Sequence, residues 1–339
     1  MAGAGCIGCT VARRDRHLVD PAQPARLIVR IQHARASSYR KSMSSQTRRA
    51  GRFAWSLAAV VVVLIGLGGV VHTTGSSLAC PDWPLCNGQW MPEMRGGVEF
   101  EHSHRLLALA VALGALALPL LIPKALARAR RAAAFAVVLV ATQAMLGAAT
   151  VWLRLPPPVS IAHLLTATLF LAILVVLGAR LVAPAPLSVS PHTVTGLDVT
   201  VGLLVLQIGL GACVRHLQAM YACGDDPWGC APLLQGSAPA LLQVVHRANG
   251  YLVALLVVAL VGANAAGTPA RRAALVPLVL VVTQLGLGLA AIALVMPTVL
   301  VTSHLVCAEL LLASLLLFRV RARSELRAPA RDASHTAPA

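Results

Sequence analysis

The sequence has little of the charged and aromatic material from which soluble domains build their surfaces and cores. Charged residues make up 12% of its 339 residues and aromatic residues 4%, whereas hydrophobic residues make up 58%. With a mean hydropathy of +0.77, this composition excludes an ordinary soluble globular protein. Acidic residues are the scarcest charged group, since 12 Asp and Glu stand against 28 Lys and Arg, which leaves a net charge of +16.

The excess of basic residues does not form one long basic surface, as a nucleic-acid-binding protein would need. It is divided among short segments between apolar runs, and Lys and Arg in the short loops of a membrane protein stay on the cytoplasmic side. We therefore favour a multi-pass protein of the cell (inner) membrane, with both termini cytoplasmic, over a nucleic-acid-binding protein. The basic segments are Arg48–Arg52, Lys124–Arg131, Arg271–Arg272 and Arg319–Arg327.

Eight apolar runs are long enough, or nearly so, to cross the hydrocarbon core of a bilayer as helices. They predict an all-α fold, a polytopic membrane protein whose eight transmembrane helices form two pseudo-symmetric four-helix bundles. The runs cover about 53–72, 101–122, 133–153, 160–182, 196–214, 240–264, 273–296 and 301–320.

The second half of the chain repeats the first half at an offset of about 142 residues. Leu64–Arg180 aligns with Gln207–Arg319, which is typical of a duplicated membrane unit. The repeat conserves two histidines and two cysteines in each copy, so it repeats chemistry as well as packing. The aligned pairs are Cys80 and Cys223, Cys86 and Cys230, His104 and His246, and His163 and His304.

The repeat and the polar ends of the chain set the predicted domain boundaries. Each half contains four helices, and the halves are flanked by polar, basic segments. Whether residues 1-42 belong to the mature protein stays open. The predicted units are a disordered basic N-terminal extension at 1-45, an N-terminal half at 46-185, a C-terminal half at 195-322 and a disordered tail at 323-339.

Two pairs of cysteines fall in loops on the predicted outer side of the membrane, where disulfide bonds form and persist. Their spacings of six and seven residues allow each pair to close a small loop, Cys80 with Cys86 and Cys223 with Cys230. Each pair either fixes the shape of its loop or takes part in redox chemistry, and both interpretations stay open.

Four histidines lie in the first turns of the even-numbered helices, at similar depth in the membrane. Ionisable residues inside a membrane are energetically costly, so they are usually functional. Two imidazoles on opposed helices suit the axial positions of a haem iron, whereas zinc would need three or four ligands. The histidines therefore predict two bis-histidine haem sites, one in each half, from His104, His163, His246 and His304. Glycines that could leave room for a flat cofactor are Gly66, Gly68, Gly69, Gly209 and Gly211.

Three further ionisable positions accompany the histidines. Arg105 and Arg247 each follow a histidine directly, so they either bind haem propionates or extend to lipid headgroups. Glu101 precedes His104 by three residues, and the second half has Gln243 at the equivalent position. A carboxyl group can exchange protons and an amide cannot, so the difference predicts a catalytic site in the first half and a cofactor site in the second. No specific role is assigned to Glu309.

At these positions the sequence resembles the haem A synthase family. The resemblance covers about residues 52–320. One departure is that the family usually has arginine where this chain has His72. The segments that carry the resemblance are IGLGGVVHTTGSSLACPDWPLCNGQWMP from Ile65, EHSHRLLAL from Glu101, VVHRANGYL from Val244 and SHLVCAELL from Ser303.

The resemblance implies an enzyme of eight helices that oxidises the C8 methyl group of haem O to a formyl group, giving haem A for cytochrome oxidase assembly. It implies that His104 and His163 ligate the iron of the substrate haem O, that His246 and His304 ligate a cofactor haem b, and that Glu101 is catalytic. It also implies the two outer-loop disulfides, a haem O synthase as partner, and an electron donor whose identity stays open, as does a homo-oligomeric state.

Two other functions fit parts of the pattern. A transmembrane bis-histidine b-type cytochrome for quinol-linked electron transfer would use the four histidines but would leave Glu101 without a role. A membrane thiol–disulfide carrier would use the cysteine pairs but would leave the histidines without one.

Overall fold

The computed structural model describes residues 45–224 and 229–324, and most of them lie in eight long helices. All eight are long and apolar enough to cross a membrane, so the prediction of an all-α multi-pass membrane protein is confirmed. The helices are α1 (Ser45–Thr73), α2 (Val98–Leu121), α3 (Ala127–Trp152), α4 (Pro157–Val182), α5 (Pro191–His216), α6 (Ala238–Gly262), α7 (Pro269–Ala293) and α8 (Thr298–Arg321).

Three short elements complete the described chain. Strand β1 (Leu187–Val189) lies in the linker between the two halves and pairs in parallel with β2 (Ala322–Ser324), which directly follows α8. A 3₁₀ helix (Ala231–Gln235) precedes α6. The predicted disordered extension included Ser45 and the predicted disordered tail included Ser324, but Ser45 lies in α1 and Ser324 in β2. Residues 1–44, 225–228 and 325–339 lie outside the described residues.

The helices begin before the apolar runs that predicted them, because the first turns are built from capping residues rather than from apolar ones. Proline occupies the first turn of α4, α5, α6 and α7, where the missing N–H costs nothing. The Ser190 hydroxyl accepts a hydrogen bond from the backbone N–H of Thr193 at 3.1 Å, and Thr268 does the same for Arg271 at 3.2 Å. Helix α1 extends furthest, through the basic residues before its apolar run.

Each half has its own hydrophobic core. In the first half α1 packs against α2 and α4, and α3 packs against α2 and α4; in the second half α5, α6, α7 and α8 repeat this order. Three further helix pairs join the halves: α1 with α8, α4 with α5, and α4 with α8. Because the halves are in such extensive contact, their division into two separate bundles, and the boundaries 46-185 and 195-322, stay predictions.

Candidate functional site

The four histidines lie at one end of the helices, at nearly the same depth. His104, His163 and His304 are the seventh residues of α2, α4 and α8, and His246 is the ninth residue of α6. All four side chains are half-buried. The end at which they lie is the end that carries the two disulfide loops, so the structure brings all four histidines to the side of the bundle that the sequence predicts to face outward.

The histidines of each half are neighbours. His104 is close enough to His163 to interact with it electrostatically, and His246 is close enough to His304. Among the described residues, α2 does not pack extensively against α4, nor α6 against α8, because each pair lies across a ring of four helices. The two imidazoles of a half therefore reach its interior from opposite sides, as two axial ligands of one iron would.

Each imidazole lies on a glycine of the preceding helix. A methyl group would press against the ring at Gly68, Gly211 and Gly288, and at Gly147 it would make an ordinary contact with the ring, so each glycine leaves space that its histidine fills. The distances below run from a Cβ atom built on each glycine to Cε1 of its histidine. They are 3.1 Å for Gly68 and His104, 3.6 Å for Gly147 and His163, 3.2 Å for Gly211 and His246, and 3.0 Å for Gly288 and His304.

Three of the glycines expected to leave room for a cofactor serve helix packing instead. A Cβ on Gly66 would lie 3.0 Å from Val306, and one on Gly69 would lie 3.3 Å from Thr302, both in α8; one on Gly209 would lie 3.6 Å from Leu165. Gly147 and Gly288 are not among the glycines predicted from the sequence, although the repeat aligns them, five residues after Thr142 and Thr283.

Glutamine side chains orient the histidines of the second half. The backbone carbonyl of Gln284 lies 3.1 Å from Nδ1 of His304, and its side-chain Nε2 lies 3.1 Å from Nε2 of the same ring. A ring that donates from Nδ1 to a carbonyl carries its lone pair on Nε2, which is the arrangement found in histidines that bind metals. Here that lone pair accepts a hydrogen bond from the Gln284 amide, whose place a metal would take. Nε2 of Gln207 lies 3.2 Å from Nδ1 of His246, and Oε1 of Gln207 accepts a hydrogen bond of 2.8 Å from Asn249.

The first half has a different set of partners. Gln143, the counterpart of Gln284, donates to the backbone carbonyl of His163 at 2.7 Å rather than to its ring. Nδ1 of His163 is buried and has no hydrogen-bond partner among the described residues. A buried ring nitrogen without a partner, opposite a second histidine and beside a glycine, fits an iron ligand, so the residues present suit the haem groups that the sequence analysis expects.

Glu101 and Arg105 hold the first disulfide loop against the start of α2. Glu101 is 4% exposed; its Oε1 accepts a hydrogen bond of 2.6 Å from Arg105, and its Oε2 accepts one of 2.8 Å from the backbone N–H of Cys80. Arg105 also donates to the backbone carbonyls of Cys80 at 3.0 Å, Asp82 at 2.7 Å and Leu85 at 2.6 Å. All four Nη hydrogens of Arg105 are therefore used within the protein, which argues against the expected propionate contact.

The second half makes a related contact between the start of α6 and its own disulfide loop. Nε2 of Gln243 lies 3.4 Å from the carbonyl of Met220, and Nη1 of Arg247 lies 3.2 Å from the carbonyl of Gly229. An amide therefore takes the place of the Glu101 carboxylate in the repeat. Sequence spacing alone did not reveal this role of the carboxylate, because the loop residues lie about 20 positions earlier in the chain.

Both outer-loop disulfides are present in the structure, Cys80 with Cys86 and Cys223 with Cys230. In the first loop the Asp82 carboxylate accepts hydrogen bonds from the backbone N–H groups of Gly88 at 2.8 Å and Asn87 at 2.6 Å. These bonds, the one from Gly88 above all, lower the pKa of Asp82 below its usual value. The loop is therefore held by a disulfide, by Asp82 and by the Glu101–Arg105 pair.

His102 and His72 lie outside the two histidine pairs. His102 is 4% exposed and lies beside the first disulfide, whose sulfurs are bonded to each other. The ring of His72 is 4.7 Å from that of His216, at the outer ends of α1 and α5. His72 and Arg215 line a cavity of about 330 Å³ there, so the residue in which this chain departs from the resembled family lies at the boundary of the two halves.

Comparisons with known proteins match the chain to one family. The family described as COX15-CtaA, cytochrome oxidase assembly protein, matches residues 51–101 and 98–316. Three similar proteins are each named Heme A synthase. The protein from Symbiobacterium thermophilum is 40% identical over 85 residues, which are 24% of this chain and 28% of that relative. The protein from Bacillus pumilus is 30% identical over 57% of this chain and 67% of that relative. The protein from Geobacillus kaustophilus is 29% identical over 82% of this chain and 93% of that relative.

Proposed function

Because the chain belongs to the COX15-CtaA family of cytochrome oxidase assembly proteins, we propose that it is a haem A synthase, an oxidoreductase that converts the C8 methyl group of haem O to a formyl group. Relatives named for this activity match it over most of its length. The single observation that best supports the proposal is the matched arrangement of two histidine pairs, in which every imidazole lies on a glycine of the preceding helix.

The two halves receive different haems in this proposal. His104 and His163 hold the iron of the substrate haem O, and His246 and His304 hold a cofactor haem b. The orientation of His304 by Gln284 supports this division, because a ring fixed in one tautomer suits a permanently bound group. The haem bound in the first half supplies the methyl group that is oxidised.

Glu101 is the proposed acid or base of the first half. Among the described residues, Glu101 is the only buried carboxyl group at the end of the helices where the histidine pairs lie. Its counterpart in the repeat, Gln243, cannot exchange a proton at neutral pH. Arg105 keeps the carboxylate in place through the 2.6 Å ion pair and has no free Nη donor for a propionate. For Arg247, which directly follows His246, the propionate contact stays a prediction from the sequence.

The surroundings of the site follow from this function. The protein resides in the cell (inner) membrane with both termini in the cytoplasm, which puts the disulfide loops and the histidine pairs on the outer side. A haem O synthase supplies the substrate, which reaches the first half through the lipid bilayer, and a separate reductant supplies electrons.

The test is pigment analysis of the purified full-length protein from cells that make haem O. Acid–acetone extracts are separated by chromatography and identified by mass. We expect protoporphyrin haem b in the wild-type protein, together with haem O or its oxidised products. His246→Ala and His304→Ala should each lose haem b, with His192→Ala as the matched control because His192 is exposed near the start of α5. Normal haem b content in both site variants would contradict the cofactor assignment.

A transmembrane b-type cytochrome is the second function that a specific observation favours. Both oxygens of Glu101 accept hydrogen bonds that hold the disulfide loop, so the carboxylate has a structural role that an electron carrier would also need. The two functions differ in product. A haem A synthase yields haem A when haem O is supplied with reductant and oxygen, whereas a cytochrome returns haem O unchanged.

A further inference from the structure

A second buried carboxyl lies where the two halves meet. Glu309 of α8 is 0% exposed, and its Oε1 accepts a hydrogen bond of 2.6 Å from Oγ1 of Thr168 in α4. Its other oxygen, Oε2, has no hydrogen-bond partner among the described residues. Because α4 and α8 belong to different halves and pack against each other, this side chain sits on the boundary between the two histidine pairs.

The contact between Thr168 and Glu309 lies equally far along the helix from a histidine of each half. Thr168 follows His163 by five residues, and Glu309 follows His304 by five residues, so the two positions are equivalent and meet across the boundary. Five residues of helix correspond to a rise of about 7.5 Å. The carboxyl is thus about one and a half helical turns from a histidine of each half, on the side towards the cytoplasm.

Among the described residues, no basic side chain forms an ion pair with this carboxyl. Within two turns of Thr168 and Glu309 on their own helices, the titratable groups are His163, His304 and Cys307. The charged residues of α1 and α7, which also pack against α8, lie in the terminal turns of those helices. On α5, Asp198 is paired with Arg319 near the other end of the bundle. The charge of Glu309 is therefore offset only by a proton.

A carboxylate without a cation is unfavourable in such a dry interior, so the proton content of Glu309 responds to any other charge that changes nearby. A haem iron changes its charge by one unit on reduction, and in a medium of low dielectric that change acts over the distance of a few helical turns. We propose that Glu309 is a proton-exchange site coupled to the oxidation state of the haem held by His246 and His304. The proposal rests on the proposed function.

The step balances charge. When a one-electron reductant delivers an electron to the haem, the Glu309 carboxylate takes up one proton to become the neutral acid; when the electron leaves, the acid releases the proton. The charge of the interior is then the same in both states. Thr168 acts as a positioning residue, because its hydroxyl donates to Oε1 and leaves Oε2 as the atom that carries the proton.

The test uses the purified full-length protein with its bound haem b. Spectroelectrochemical titrations at several pH values on both sides of neutrality give the midpoint potential, and redox-induced infrared difference spectra report on carboxyl groups. In the wild type, the midpoint potential should fall as pH rises, and the difference spectrum should contain a carboxylic C=O band. Glu309→Gln should remove both. Thr168→Val, which keeps the side-chain volume, should retain the band but displace it, because the hydrogen bond to Oε1 is lost.

The outcomes separate this inference from the proposed function. If Glu309→Gln binds haem b and keeps both the band and the full pH dependence, the inference is wrong and the proposed function stands. If Glu309→Gln does not fold, Thr168→Val decides, since an unmoved band excludes Glu309 as its source. If the wild-type protein contains no haem b, its absorption spectrum shows this directly, and the cofactor assignment and the inference fail together.

Discussion

Replacement of Glu101 by glutamine separates catalysis from the attachment of the disulfide loop. The carboxylate accepts two charge-assisted hydrogen bonds, from Arg105 at 2.6 Å and from the Cys80 N–H at 2.8 Å. A glutamine can accept only one of them, and its NH₂ group then faces a second donor. We expect the loop contact to lose about 3 kcal/mol, the low end for removing one partner of a buried ion pair, because Arg105 keeps three carbonyl acceptors.

Two measurements follow from that value. A loss of about 3 kcal/mol raises the open fraction of the loop roughly 100-fold, so a membrane-impermeant phosphine should reduce the Cys80–Cys86 disulfide about 100-fold faster in Glu101→Gln. Conversion of haem O to haem A should fall by about 10²- to 10⁴-fold, the usual effect of losing a positioned acid or base, with haem O or its hydroxymethyl form accumulating.

Arg105→Gln is the matched control, since it breaks the same ion pair but keeps the Glu101 carboxyl group, to which the Cys80 N–H still donates. It should speed reduction of the disulfide by a similar factor and lower haem A formation by less than about tenfold, below the range expected for loss of an acid or base. If Arg105→Gln lowers haem A formation as far as Glu101→Gln does, the carboxylate acts through the loop alone. A normal haem A yield from Glu101→Gln would refute any catalytic role and favour the cytochrome.

Three shorter predictions test other parts of the structure. Gly288→Ala should lower haem b content, because its Cβ would lie 3.0 Å from the ring of His304, whereas Gly286→Ala, with nothing within 4 Å, should bind haem b normally; equal haem content in both variants would contradict the packing argument. Folding lowers the pKa of Asp82 below its usual value of 3.8, so the ionised carboxylate stabilises the loop fully above pH 3.8. This stabilisation is lost as the pH falls through the lower pKa of the folded state. Disulfide reduction should therefore accelerate below about pH 3.8 in the wild type and depend less on pH in Asp82→Asn, and an identical pH profile in both would show that the carboxylate does not hold the loop. The four loop cysteines should react with a membrane-impermeant maleimide only after reduction, and labelling of unreduced cells would contradict the outer-side disulfides.

The helices could be predicted from sequence because a bilayer imposes one simple requirement. Every span needs a long apolar run, and all eight runs became helices. Their ends were less predictable, since Pro157 and Ser190 extend the helices into segments that are not apolar. Capping is a local effect that hydropathy does not register. Helix α1 also starts earlier than its apolar run, at Ser45 rather than at about residue 53, because its first two turns are built from polar and basic residues.

The candidate site was predictable where it repeats and unpredictable where it depends on distant parts of the chain. The two histidines of the first half recur in the second half, and Gly147 recurs as Gly288, although these glycines were not predicted. The spacing of four residues between Glu101 and Arg105 is typical of an ion pair on a helix. That this pair holds a loop some 20 residues earlier follows only from tertiary structure.

The contacts of α8 have a consequence for the biosynthesis of this protein. Helix α8 packs against α1, α4, α5 and α7, and it carries β2, which pairs with the linker strand β1. Residues 74–297 separate the end of α1 from the start of α8, which a ribosome adding about 5–20 residues per second needs roughly 10–45 s to translate. During that interval α1 and α4 are in the membrane without their final partner. The surface that will receive α8 is then open to lipid or to an insertion chaperone. Truncation within the last helix would therefore leave every earlier helix inserted, but the second half incomplete and the faces of α1 and α4 that contact α8 uncovered.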